Sequence, residues 1–284
     1  MNIRHLRFFY DSARLSSMSK AAQQNYVGQP AISKAIKNLE EELGVKLIQH
    51  QNNRFNLTDE GINAYKNSQS VFNSLAKFKD SLTQKPKISG ELNFACQSSM
   101  AESAFLPEGI FALTKKYPEL KPVLSLGRTD LVKSWLDDGT VDFAIVINNR
   151  DFKGLHVRPI STGNFRLVRS NVYKGNWKKE GILSTEATRE LGQLQQKFLS
   201  INKAALKSKM VVRSWGVIKS FVLQGFGVGF VPDYLVSREI QSGRLKYVEK
   251  QKYSIAYEVI LIISKNKYIS TKLEAVIRQF QCKL

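Results

Sequence analysis

The 284-residue chain predicts two folding patterns in series: a small, mostly helical module with two short strands, continued by one long helix, and then a larger α/β domain. Three observations predict this. The length exceeds what one small module needs and suits a module of about 80 residues beside a domain of about 200. Up to residue 83 the apolar residues recur at helical spacing; beyond Pro86 strand-sized apolar runs alternate with helical stretches. Hydrophobic residues at 43% and charged residues at 24%, with only 7 prolines and 17 glycines, make a globular mixture and exclude a disordered or collagen-like chain.

Ile3, Leu6, Phe9, Tyr10 and Ala13 mark one face of a first helix. Ser17 or Ser19 caps the next, a short one from Lys20 to about Asn25 with small Ala21 and Ala22 at its middle. After a break at "NYVGQP", Pro30 sits in the first turn of a third helix, where its missing N–H costs nothing. Ile32, Ile36, Leu39 and Leu43 form its buried stripe, and Gly44 ends it in a left-handed conformation. Residues 45–57 read as two short strands around Asn52-Asn53, which tolerates turn dihedrals. Thr58 opens a long helix reaching about Thr83. Tyr65, Ser68, Phe72, Leu75 and Leu82 lie near heptad core positions, with Ile62, Val71 and Phe78 beside them. That stripe is wider than one module needs and calls for a partner helix.

"QKPKISGE" is the expected hinge. Strand-like runs follow at Leu92–Cys96, Pro122–Leu126, Phe143–Ile147, Phe165–Arg169, Lys209–Arg213, Gly227–Val231 and Val259–Ser264. Helical stretches lie at Phe105–Lys116, Asp130–Asp137, Ser214–Gln224 and Ser270–Gln281. The alternation predicts parallel strands.

A net charge of +19 points to polyanionic partners, nucleic acid first. Residues 1–88 carry 13 basic and 7 acidic side chains, so both parts are about equally basic and charge alone does not assign the DNA-binding part. No apolar run is long enough to span a membrane and the N-terminus lacks a secretory pattern, so the expected compartment is cytoplasmic, without membrane partners. Cys96 and Cys282 make neither a disulfide framework nor a zinc site, and redox sensing by them is a minor reading. His5, His50 and His156 are dispersed, so no metal is expected. Gly225, Gly227 and Gly229 lack the spacing of a nucleotide loop and read as a tight helix-to-strand turn; no cofactor is expected. The chain has no nucleophile elbow, phosphate-binding loop or metal cluster, so an enzyme is not expected.

A short helix, a tight turn and a second helix with a polar face form a helix-turn-helix signature. Ala21, Ala22 and Ala31 allow the close crossing. Gln29, Ser33, Lys34 and Lys37 remain opposite the apolar stripe, residue types that bond base edges and phosphates. Glu40, Glu41 and Glu42 would be repelled by phosphate, so only the N-terminal half of that helix is expected in the groove. Asn52, Asn53 and Arg54 at the wing tip reach toward flanking backbone or minor groove.

The stretch "MSKAAQQNYVGQPAISKAIKNLEEELGVKLIQHQNNRFNLTDEG" resembles the winged helix-turn-helix of the LysR-type transcriptional regulators. The matches include Ala21-Ala22, Val27, Gln29-Pro30-Ala31, Ile32-Ser33-Lys34, Leu39-Glu40, Leu43-Gly44, Leu57-Thr58 and Gly61. "FLPEGIFALTKKYPELKPVLSLG", "LDDGTVDFAIV" and "VLQGFGVGFVPDYL" are similar to effector-domain segments of that family. Gly28 stands where the family usually has Ser, Ile48 where Phe is usual, and 148–155 lacks a common glycine-proline pattern.

The resemblance implies DNA contacts by Ser19, Gln29, Pro30, Ser33, Lys34, Lys37, Asn53, Arg54 and Thr58. It implies a homodimer, often a homotetramer, paired through Tyr65, Phe72, Leu75 and Leu82, on promoter double-stranded DNA, with RNA polymerase a candidate further partner. It implies domains at 1–58, 59–88 and 89–284, the last periplasmic-binding-protein-like, with subdomain I at 89–161 and 265–284 and subdomain II at 162–264. A small-molecule co-inducer lies in their cleft. Ligands in such folds sit at strand C-termini and helix N-termini, which nominates Gln97, Ser98, Ser99, Thr129, Asn148, Ser214 and Trp215. Trp215 reads equally as an apolar wall or a core aromatic, and Arg128 as an acid-binding group or a solvated one. The basic excess permits an anionic ligand. An architectural DNA-binding protein is the competing reading.

Overall fold

Helix α1 (Ile3–Arg14) starts where the side chain of Asn2 accepts from the Arg4 backbone N–H, and α2 (Met18–Gln24) where Ser17 accepts from Lys20 N. Helix α3 (Gln29–Leu43) follows, capped by Gly28 without a side-chain bond, and ends at Gly44 with φ +70°. Strands β1 (Ile48–Gln51) and β2 (Arg54–Leu57) pair antiparallel, and α4 (Asp59–Leu82) completes the first part. In this computed structural model residues 1–51, 54–82, 88–102, 105–186, 188–250, 252–265 and 267–281 are described. Asn52 and Asn53, the hinge around Pro86, and Cys282 lie outside them; of Arg54 only the backbone is described. Two compact units result, one built on residues 1–87 with the short segments 135–140 and 266–271, the other on the rest of the chain.

The core of the first unit joins Leu6, Phe8, Phe9 and Tyr10 of α1 to Ile32, Ala35, Ile36 and Leu39 of α3, with Leu47, Ile48 and Tyr65. Full burial of each such aliphatic or aromatic side chain stabilises by about 1.5–3 kcal/mol. Two residues expected inside are outside: Leu43 is 43% exposed, and Ala31 is exposed while Ala35 takes its place in the core. One further turn of α3 carries its stripe past the end of the packed module. The crossing of α1 on α2 is fixed by polar contacts: Asn25 donates to Asp11 at 2.9 Å and Arg14 to Gln24 at 2.6 Å.

The second unit is built on one mixed sheet. Its strands are β3 (Gly90–Cys96), β4 (Leu120–Leu126), β5 (Phe143–Ile147), β6 (Leu155–Ser170), β7 (Ile182–Ser184), β8 (Ser208–Val211), β9 (Val228–Pro232), β10 (Leu245–Tyr247) and β11 (Ile255–Ser264). The order is β4-β3-β5-β11-β6-β9-β7-β8, with β10 on β6. The helices are α5 (Ser98–Ala101), α6 (Phe105–Lys116), α7 (Thr129–Asp137), α8 (Trp177–Glu180), α9 (Arg189–Asn202), α10 (Trp215–Leu223), α11 (Ser237–Gln241) and α12 (Thr271–Gln281).

The expectation of parallel strands needs correction. Pairing is parallel at both ends of the sheet, β4-β3-β5 and β9-β7-β8. At the centre β11 lies antiparallel to β5 and β6, and β6 antiparallel to β9. A chain that builds one βα layer and then a second must cross between them and return, and two long antiparallel neighbours do this. Consequently β6 runs unbroken through the boundary expected between 161 and 162, and β11, expected wholly with the second half, pairs through Val259–Ile262 with β5 of the first. The parallel ends leave their strand C-termini and the following helix N-termini free, and these position the site.

Candidate nucleic-acid interface and effector pocket

The buried stripe of α3 sends Gln29, Pro30, Ser33, Lys34 and Lys37 to the exposed side. Ser19, at the start of α2, donates from its hydroxyl to Gln29 Oε1 at 2.9 Å. This ties two nominated residues together and leaves the Gln29 amide N–H groups free to donate to a base edge. Lys37 stands in a solvated i,i+4 pair with Glu41 at 3.8 Å, which makes it the weakest of the cations on this face. Tyr26, not nominated from sequence, is 87% exposed in the turn before α3, with φ +54°. A large aromatic side chain inside a turn motif was the available signal.

One nominated residue, Thr58, is committed elsewhere, and one acid, Glu40, turns inward. Thr58 uses its hydroxyl at both ends, donating to Lys46 O at 2.6 Å and accepting from Gly61 N at 2.9 Å, so it caps α4. Glu40, counted above among three acids repelled by DNA, is buried and faces the wing. It accepts from Leu47 N at 2.8 Å, Ile48 N at 3.1 Å and Lys46 Nζ at 2.9 Å. Burial acts to raise the Glu40 pKa, but the Lys46 bond and the two backbone donors outweigh it and hold the carboxyl below its ordinary value. A depressed carboxylate contributes stability above its unfolded pKa and loses it as pH falls through the folded value. We expect acid titration below about pH 4.5 to loosen the module, and Glu40→Gln to be less stable at neutral pH with a flatter acid limb, read by circular dichroism melts. A parent-like acid limb in Glu40→Gln overturns this.

On α4 the nominated Tyr65 and Phe72 turn into their own module. Tyr65 stacks on Tyr10 at 5.1 Å, and Phe72 meets Tyr10 edge-on and carries the Arg7 guanidinium 3.6 Å from its ring centroid. The outward apolar row is instead Val71, Leu75, Phe78 and Leu82, at spacings of four, three and four, with Phe78 60% and Leu82 70% exposed.

In the second unit one cavity of about 550 Å³ gathers loop residues that follow strands of both halves of the sheet. Of the nominated ligand residues, Gln97, Ser98, Ser99, Thr129, Ser214 and Trp215 line it. Gln97 donates to Thr129 Oγ1 at 2.9 Å and accepts from Ile147 N at 3.3 Å, bracing three strand ends at once. Ser99 shares a 2.8 Å hydrogen bond with the Tyr234 hydroxyl. Trp215 serves both readings: it is part of the wall and packs edge-on against Phe165 at 5.2 Å. Asn148 is a correction. Its amide donates to Glu258 at 2.9 Å, and Asn149, Arg150 and Asp151 line the cavity in its place.

Three helices of nine residues or more begin at this wall. Thr129 is the first residue of α7, Thr188 caps α9 by accepting from Leu191 N, and Ser214 caps α10 by accepting from Val217 N. Their free N–H groups favour negative charge. Four arginines join them, of which only Arg128 was considered from sequence. Burial pushes the Cys96 thiol, at the end of β3, up to about 12, so it stays protonated and unreactive at neutral pH. Among the described residues no group of three or more His, Cys, Asp or Glu side chains is placed to hold a metal, and no helix is long and apolar enough to cross a membrane.

Both parts of the chain have counterparts in known proteins. Residues 3–62 match the family described as bacterial regulatory helix-turn-helix protein, lysR family, and residues 86–284 match the LysR substrate binding domain. A probable RuBisCO transcriptional regulator of Porphyra purpurea is 25% identical over 95% of this chain and 90% of its own length. An uncharacterized HTH-type regulator of Bacillus subtilis, YwbI, is 27% identical over 95% and 92%. In fold the chain is similar to a full-length OxyR variant from Pseudomonas aeruginosa, with TM-score 0.75, 17% identity and coverage of 99% of this chain and 94% of that one. It is also similar to CrgA, a LysR-type regulator from Neisseria meningitidis, with TM-score 0.56, 20% identity and coverage of 99% and 98%. The relatives are regulators rather than enzymes, and with both of its domains matched in their usual order the chain belongs to the LysR family of DNA-binding transcriptional regulators.

Proposed function

We propose that this regulator is a homo-oligomer that reads a dyad-symmetric operator through α3 and changes its arrangement when a small anionic co-inducer enters the cavity at the α7, α9 and α10 N-termini. The observation that carries the reading is the two-sided chemistry of α3: a buried apolar face opposite exposed Gln29, Pro30, Ser33 and Lys34. Helices of this kind lie in the major groove, with base-edge donors on the outer side. The four arginines of the cavity support an anionic ligand. The ligand shifts the assembly only by as much as it binds one arrangement better than the other. The test is a footprint on the DNA upstream of its own gene with excess nonspecific competitor. A protected dyad is expected, because specific binding exceeds nonspecific by about 10³-fold or more. Uniform or competitor-erased protection favours an architectural DNA-binding protein instead.

The outward row on α4 supports pairing through that helix, since its spacing is that of a coiled-coil seam. Phe78→Asp with Leu82→Asp is expected to give monomers by sedimentation and to weaken operator binding, because neither side chain is buried in its own module. An unchanged dimer places the interface elsewhere.

A further inference from the structure

The charges of the cavity wall are not all available to a ligand, and how they are committed narrows what fits. The charged lining comprises Arg128, Arg150, Arg189 and Arg213 against Asp151 and Glu186, an excess of two positive charges. Glu186 bridges two of the arginines: one carboxylate oxygen lies 3.3 Å from Arg128 Nη2 and the other 3.0 Å from Arg213 Nε. The protein's own carboxylate thus occupies the arginine pair that joins the β4–α7 side to the β8–α10 side. Asp130 adds to the neutralisation of Arg128 at 3.4 Å, and Asp151 is engaged by Lys153. Arg150, after β5, and Arg189, the first residue of α9, form no ion pair among the described residues; Asp130 and Glu190 act on them through space only. One arginine belongs to the first half of the sheet and one to the second.

Resting on the reading of this cavity as the effector pocket, we infer that its ligand is a small organic dianion with two separate acidic groups, one held by Arg150 and the other by Arg189 with the α9 and α10 N-termini. Two observations select this class. A lining with an excess of two positive charges is best matched by two negative ones, because a ligand that fills the cavity takes water from the exposed Arg150 and Arg189. The two arginines left without an ion pair also come from different elements, Arg150 after β5 and Arg189 at the start of α9, and an acidic group at each end of a short carbon chain gives each its own partner. About 550 Å³ is the size of a small-molecule site, and Trp215 gives the chain an apolar wall. Glu186 then sets selectivity: by satisfying Arg128 and Arg213 it denies them to a third acidic group.

The test titrates the full-length protein with succinate, glutarate and adipate, beside butyrate and hexanoate, citrate, and the cation putrescine. Binding is read from tryptophan fluorescence and thermal melting, with Trp215→Phe identifying the pocket signal among the three tryptophans. At least one dicarboxylate is expected to bind about 30-fold tighter than the monocarboxylate of equal or similar length, as a second charge-assisted contact implies. Arg150→Gln and Arg189→Gln are each expected to weaken it about tenfold or more, without changing the ligand-free melt. Glu186→Gln is expected to move the preference toward citrate. Monocarboxylates, citrate or putrescine binding the parent as well as the dicarboxylates do, with a signal lost in Trp215→Phe, overturns the dianion and leaves the pocket standing. If no compound perturbs the pocket signal or the melt, the dianion is overturned and the pocket reading loses its support with it.

Discussion

Gly61→Ala is expected to destabilise the DNA-binding module by about 2–3 kcal/mol, the scale of overpacking in a rigid site. Helix propensity alone predicts the opposite sign, since Ala in a helix is favoured over Gly by about 1 kcal/mol. Sterics decide the outcome. A Cβ at Gly61 lies 2.0 Å from the carbonyl oxygen of Leu47 and 2.9 Å from its carbon. That oxygen cannot retreat: it accepts from Thr58 N at 3.1 Å, and the N–H of the same residue is held by Glu40 at 2.8 Å. Leu47 itself is 1% exposed. The measurement is the melt of the first unit, followed by the loss of operator binding on heating; a Gly61→Ala protein as stable as the parent overturns the close approach of α4 to the wing. Gly61→Val, with a larger side chain in the same space, should fare worse.

Lys34→Ala and Ser33→Ala are each expected to weaken operator binding about tenfold to a hundredfold, the range of one base-edge contact at about 1–3 kcal/mol. Both side chains are exposed, so thermal stability should not change. Lys37→Ala should do less, because its charge is already shared with Glu41. The specific and nonspecific affinities are to be measured together across a salt series. A loss equal on both DNAs makes Lys34 a phosphate contact, and parent-like binding by both variants removes α3 from the groove.

Much of the fold was legible in sequence because local chemistry determines it. Phe105–Lys116 and Phe143–Ile147 were read at their observed bounds, the first from its helical period and the second from an unbroken apolar run. Several elements were missed, the short α8, α11 and β10 among them, and two of the misses have a clear physical reason. Helix α9 was overlooked although Leu191, Leu194 and Phe198 keep one buried face behind Thr188, because its other positions are polar and rich in Gln. Strand β7 is three residues long, too short to show a period, and exists because β8 and β9 flank it.

The sequence by itself determined the helix-turn-helix, its exposed polar face, the cap at Gly44 and the family, because each rests on neighbours a few residues apart, whereas the choice of Ser17 over Ser19 as the cap of α2 came from the structure. Only the tertiary structure decided that Glu40 faces inward, that the outward row of α4 runs through Val71 and Phe78 rather than Tyr65 and Phe72, and that Asn149 rather than Asn148 lines the cavity. It also brought Arg128, Arg150, Arg189 and Arg213 to one wall across 85 residues of chain. The physical reason is common to these cases. Periodicity tells which face of an element is apolar, but which polar groups meet depends on strand order and helix crossing, and those are set by contacts between segments distant in sequence.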